Sequence, residues 1–130
     1  MSKKILIIDD NHEHRQLVIE TLSEEGYEVT AASDGIEGLS AYRAQQFDLV
    51  ITDVLMPGAD GLEVIRAIRE AGFDVPVIAM SGGGASFPAA ISLSASRALG
   101  AAEVLHKPFR ISELTDAVRR VLKGETTRAG

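Results

Sequence analysis

The chain contains no cysteine, so it has neither a disulfide framework nor a thiolate metal site. Long apolar runs are also missing. The first, Ile5 to Ile8, follows Lys3 and Lys4 and runs directly into Asp9 and Asp10, too short for a signal-peptide core or a membrane span. Positive charge is in deficit, with 13 Lys and Arg against 19 Asp and Glu and a net charge of −6. That balance disfavours a general nucleic-acid binder, which must meet phosphates with clustered basic residues. Arg119, Arg120 and Lys123 read as a solvated helix face. Aromatics are scarce, four Phe and two Tyr. What is present is 130 residues, 45% hydrophobic and 25% charged, enough for one ordinary domain with its own core.

Five short, nearly apolar runs, at residues 4–8, 28–32, 49–52, 77–80 and 103–105, alternate with helix-length amphipathic segments. Runs of this kind suit strands covered on both faces, and the alternation predicts right-handed βαβ units in an open parallel sheet. Asn11 caps the first helix, which turns Val18 and Leu22 inward with Leu17 beside them and leaves Ile19 exposed. Asp34 with Glu37, and Asp60 with Glu63, have capping-box spacing for the second and third helices. Leu62, Ile65 and Ile68 repeat at helical spacing before a stop at Gly72. Pro88 opens a further helix through Ile91, Ala95 and Leu99. The last helix presents Leu114, Ala117, Val118, Val121 and Leu122, and Gly124 ends it. Residues 1–123 are thus the expected domain, and 124–130 a flexible tail too poor in apolar surface to fold, with no output domain.

In an open α/β sheet, ligands bind beyond the carboxyl ends of the strands, where strand order reverses. The predicted strands end at Asp9 and Asp10, at Asp53, at Ser81, and at Lys107-Pro108, so carboxylates, a hydroxyl and an ammonium share one rim. Crowded carboxylates repel one another and are costly to keep ionised. A hard divalent cation relieves this, and Mg2+ takes oxygen from one or two carboxylates, water and phosphate. No His or Cys cluster competes for a softer metal. One carboxylate is then able to attack a phosphoryl group, with Lys107 and Ser81 each meeting a phosphoryl oxygen. Singly, each residue has an ordinary explanation: Asp9 and Asp10 as caps, Asp53 as a turn starter before Pro57 and Gly58, Lys107 as a surface lysine. Together on four strand ends they read as a site.

With Met56-Pro57-Gly58-Ala59-Asp60-Gly61 and Lys107-Pro108-Phe109, this set resembles the receiver domain of two-component response regulators, in order and spacing from about Lys3 to Lys123. The resemblance is to stand-alone, chemotaxis-type regulators. It implies an α/β, flavodoxin-like fold: a doubly wound sheet of five parallel strands in the order 2-1-3-4-5. It implies Asp53 as the phosphoacceptor, with Mg2+ held directly by Asp10 and Asp53, through water by Asp9, and by the backbone carbonyl of Leu55. Ser81 stands at the family's switch hydroxyl and Lys107 at its lysine, and the Lys107-Pro108 bond is cis in relatives. The implied donor is a sensor histidine kinase or a histidine phosphotransfer protein. The output is a phosphorylation-dependent contact with a downstream protein, or onward transfer, in the cytoplasm and away from nucleic acid and membrane. Such a chain is not a turnover enzyme, since it only phosphorylates itself and hydrolyses slowly. Leu55 and Gly83, at positions that tune hydrolysis in relatives, supply no side chain to activate water, so the phosphoryl lifetime is not expected to be unusually short.

Two departures from the family pattern stand out. Val104 occupies a usually aromatic position and has no ring to swing between exposed and buried states. The stretch from Ser81 to Lys107 is longer than usual, with the excess at 82–87, where three successive glycines predict a mobile loop that reorders on phosphorylation. The histidines are assigned no catalytic part. His12 and His14 point apart in a first helical turn, and His106 alternates away from Lys107. The resemblance places His14 and Leu17 where relatives dock their kinase. A phosphatase of the haloacid dehalogenase type needs an Asp at position 55, where Leu55 stands. A flavin protein on this architecture needs hydroxyl donors in place of Asp9 and Asp10. A degenerate receiver acting as a phosphate-independent binding module is the remaining alternative, kept open by Val104 and the long loop.

Overall fold

The computed structural model describes residues 2–54, 61–71, 74–81 and 100–123. Along the chain run β1 (Lys4–Ile8), α1 (His12–Glu24), β2 (Glu28–Ala32), α2 (Gly35–Ala44), β3 (Leu49–Asp53), α3 (Gly61–Glu70), β4 (Val77–Ser81), β5 (Glu103–His106) and a last described helix, here α4 (Ile111–Leu122). All strand pairs are parallel, in the order β2-β1-β3-β4-β5, the doubly wound arrangement expected. Three strands extend one residue beyond their apolar runs, to Asp53, Ser81 and His106. Their backbones continue the ladder, with Asp53 opposite Met80 and Ser81 opposite His106. Apolarity marks burial, whereas pairing is a backbone property and outlasts it.

Each strand turns alternate residues to opposite faces, and two cores result. Ile5 and Ile7 of β1, with Leu49 and Ile51 of β3, pack under Val18 and Leu22 of α1 and Leu114, Ala117, Val118 and Val121 of α4. Leu6, Ile8 and Val50 face the other way, against Val64, Ile65 and Ile68 of α3 and Phe47. Leu6 through Ile8 are fully buried, which is why β1 reads as a continuous apolar run.

The caps at Asn11 and Asp34 form as expected, their side chains accepting the backbone N–H groups of His14 (2.9 Å) and Glu37 (2.8 Å). One reading of α1 is corrected. Ile19 is half-buried and packs on the first core, whereas Leu17 is 46% exposed. Arg15, Val18, Ile19 and Leu22 follow the i, i+3, i+4, i+7 stripe, and Leu17 lies off it. In α4, Leu122 is only half-buried, at the margin of the same stripe. Arg119 pairs with Glu25 and Asp116, and Arg120 with Glu103. Asp60, Gly72, the loop at 82–87, the helix at 88–99 and the tail at 124–130 lie outside the described residues. Among those described, no helix is long and apolar enough to cross a membrane.

Candidate functional site

The strand order reverses between β1 and β3, and there the register sets the site. Ile8 is abreast of Thr52, so the next residues, Asp9 and Asp53, arrive level at the carboxyl end of the sheet. Ser81 closes β4 opposite His106, and Lys107 follows β5 directly. The fold therefore brings Asp9, Asp10, Asp53, Ser81 and Lys107 to one edge, although the runs that carry them are far apart in the chain.

Carboxylate oxygens of Asp9, Asp10 and Asp53 lie within 4.8 Å of one another. Asp9 is fully buried, Asp53 nearly so, and Asp10 is exposed. Lys107 reaches across from β5, with Nζ 2.8 Å from Asp53 Oδ2 and 3.4 Å from Asp9 Oδ2. The bond between Lys107 and Pro108 is cis. An all-oxygen set on converging strand ends, one member open to solvent, suits a hard divalent cation and not a thiolate- or imidazole-seeking one. Receiver domains bind Mg2+ at an aspartate cluster of this kind.

Asp9 is held from several sides. Its Oδ1 accepts the Asn11 N–H at 2.9 Å, its Oδ2 is bonded by His14 Nδ1, and its backbone carbonyl accepts Arg15 Nη1 at 2.8 Å. Burial alone would raise the pKa of its carboxyl. The hydrogen bonds from His14 and Asn11 and the charges of Lys107 and His14 outweigh burial and hold it below its ordinary value. Lys107 shows the converse, because burial disfavours its charge while Asp53 and Asp9 together raise its pKa.

His14 and Arg15 are the contacts that the sequence reading passed over. His14 is the third residue of α1 after the Asn11 cap, and a side chain there folds back over the residues preceding the helix. The capping position was the available signal. His12 instead meets Arg15, its Nδ1 3.1 Å from the guanidinium, and His106 is exposed. Val104 is half-buried against the second core. Leu55 lies outside the described residues.

Residues 5–119 match the response regulator receiver domain family. The response regulator MprA of Mycobacterium bovis is 36% identical over 123 residues, covering 95% of this chain and 52% of that protein. The chain thus spans about half the length of the curated relatives it matches. Among solved structures, the chemotaxis response regulator CheY4 of Vibrio cholerae superposes with a TM-score of 0.82 at 33% identity, covering 93% of this chain and 99% of that one. NtrX of Brucella abortus gives 0.85 at 30% identity, over 96% of this chain but 28% of that one. With the sheet order, the aspartate cluster and a family match over nearly its whole length, the chain belongs to the receiver domains of two-component response regulators.

Proposed function

We propose that this chain is a single-domain response regulator that accepts a phosphoryl group on Asp53 and signals by a phosphorylation-dependent contact with another protein, or by passing the group on. One observation carries the reading: Asp53 ends β3 with its carboxylate grouped with those of Asp9 and Asp10 and 2.8 Å from the Lys107 ammonium. Response regulators are phosphorylated by histidine kinases, so the donor is a phosphohistidine on a kinase or a histidine phosphotransfer protein. In the reaction an Asp53 oxygen bonds phosphorus as the phosphorus–donor bond breaks, and the donor leaves with that electron pair.

Asp10 and Asp53 would hold Mg2+ directly, Asp9 through water, and the Leu55 carbonyl would complete the protein ligands. When bound, the cation offsets the charge of carboxylates and phosphoryl oxygens that otherwise repel. Lys107 is placed to pair with a phosphoryl oxygen on Asp53, exchanging one oxyanion partner for another. Ser81, at the end of β4, is the hydroxyl that would meet a second oxygen. In this reading residues 1–123 are the working domain, 124–130 a tail, and the location is the cytoplasm.

Incubation with acetyl phosphate and Mg2+, followed by intact mass measurement, tests the reading. The parent chain is expected to gain one acid-labile adduct of about 80 Da, and Asp53→Asn none while remaining folded. An adduct that persists in Asp53→Asn refutes the assignment. An unlabelled parent that still captures its partner equally with and without a phosphate mimic identifies a degenerate receiver instead.

A further inference from the structure

Two donors converge on one oxygen of Asp9. His14 Nδ1 bonds Oδ2, and Lys107 Nζ approaches the same atom at 3.4 Å while lying 2.8 Å from Asp53 Oδ2. Oδ1 is taken by the Asn11 N–H. Against a carboxylate, which only accepts, the imidazole must carry its proton on Nδ1. An oxygen that already holds one donor has less acceptor capacity and less negative potential to offer a second. The imidazole ring is itself placed, meeting Phe109 edge-on with centroids 5.4 Å apart. The Asp9 backbone is fixed separately, by Arg15 on its carbonyl and by its own N–H on the Ala32 carbonyl at 3.1 Å. A change at position 14 therefore acts on the Asp9 side chain and not on the strand end.

We propose that His14 is a positioning residue: by occupying Asp9 Oδ2 it keeps the Lys107 ammonium on the Asp53 side, where a phosphoryl group would meet it. The inference rests on the reading of Asp53 as phosphoacceptor. His14 touches no reacting atom, and its effect passes through Asp9 to Lys107.

The test compares three variants at saturating Mg2+. His14→Leu keeps an apolar contact for Phe109 but has no donor. His14→Asn carries an amide nitrogen at the same bond count from the backbone as Nδ1, and His14→Gln moves that nitrogen one methylene outward. Beryllofluoride titration followed by 19F NMR reads occupancy of Asp53 without turnover, and acetyl phosphate labelling reads the rate. His14→Leu is expected to weaken the first and slow the second about tenfold, the lower end of what losing a partner around a metal site does. His14→Asn is expected to restore most of both, and His14→Gln to behave like leucine, which covers the case of a leucine variant that does not fold. A crystal structure of His14→Leu or His14→Gln should show Lys107 Nζ nearer to Asp9 than to Asp53. Unchanged beryllofluoride affinity and labelling overturn the proposal, as does equal loss in the leucine and asparagine variants, which would make His14 a packing residue. A parent chain that takes no label refutes the phosphoacceptor reading itself, whatever the variants do.

Discussion

At Gly38, a residue with no side chain decides how closely a helix approaches the sheet. A Cβ built there would lie 2.7 Å from Cγ1 and 3.3 Å from Cγ2 of Ile8. Ile8 is fully buried at the last position of β1, one residue before Asp9, so it has little room to withdraw. Alanine would gain roughly 1 kcal/mol of helix propensity over glycine, but overpacking a tight core costs about 1–3 kcal/mol. Gly38→Ala is therefore expected to be net destabilising in denaturant unfolding, and adding Ile8→Val, which removes a methyl from the crowded side chain, should recover part of the loss. A Gly38→Ala chain as stable as its parent would show that α2 yields freely. The spacing of Gly38 from Asp34 in the sequence gives no hint of this contact, because it depends on which strand lies beneath. Legibility at the site divides in the same way. Asp9, Asp10, Asp53, Ser81 and Lys107 were readable because each follows an apolar run, and the topology of such runs sends their ends to one edge. His14 was not, because its importance lies in a side-chain direction within the first turn of α1.

Among the elements, α1 shows the clearest division between what a pattern holds and what geometry adds. Its cap and its Val18–Leu22 stripe follow from spacing, yet Leu17 and Ile19 exchange places relative to expectation because Leu22 extends the buried stripe on the Ile19 side of Val18, away from Leu17. Its far end was not anticipated at all. Gly26 has φ +92°, with the Gly26 N–H on the Ser23 carbonyl at 3.0 Å and the Tyr27 N–H on the Leu22 carbonyl at 3.1 Å. This pair of bonds closes the helix and releases the chain into β2. A Cβ at Gly26 would touch nothing within 4 Å, so the whole penalty of Gly26→Ala lies in the backbone. It is expected to cost roughly 1–2 kcal/mol, with Gly26→Asn milder because asparagine tolerates that conformation. Equal unfolding midpoints for parent, alanine and asparagine chains would contradict the assignment. Gly26 and Gly38 thus require glycine for opposite reasons, one for a backbone angle and the other for space.

For the molecule as a whole, the sheet concentrates opposite charges at one end, and stability should record it on both sides of neutrality. Asp9 is buried, which would raise its pKa, but His14, Asn11 and Lys107 hold it below the ordinary value. Near pH 4, where an ordinary aspartate titrates, the unfolded chain then binds more protons than the folded one. The contribution of Asp9 is present above that range and is lost as pH falls through the depressed folded value. Lys107 has the opposite sign. Burial is overcome by Asp53 and Asp9, its pKa is raised, and its contribution is present below about pH 10.4 and lost as pH climbs through the raised folded value. Tyr42, its pKa raised by burial with Arg69 partly opposing, adds to the same alkaline limb. The thermal midpoint of chelator-treated protein is thus expected to fall on both sides of a central plateau. Asp9→Asn should flatten the acid limb and weaken the Lys107 share of the alkaline limb while leaving the Tyr42 share unchanged, and Lys107→Met should leave an alkaline limb owed to Tyr42 alone among these groups. An Asp9→Asn chain whose acid limb stays as steep as its parent's would mean that its carboxylate is not held ionised by its neighbours.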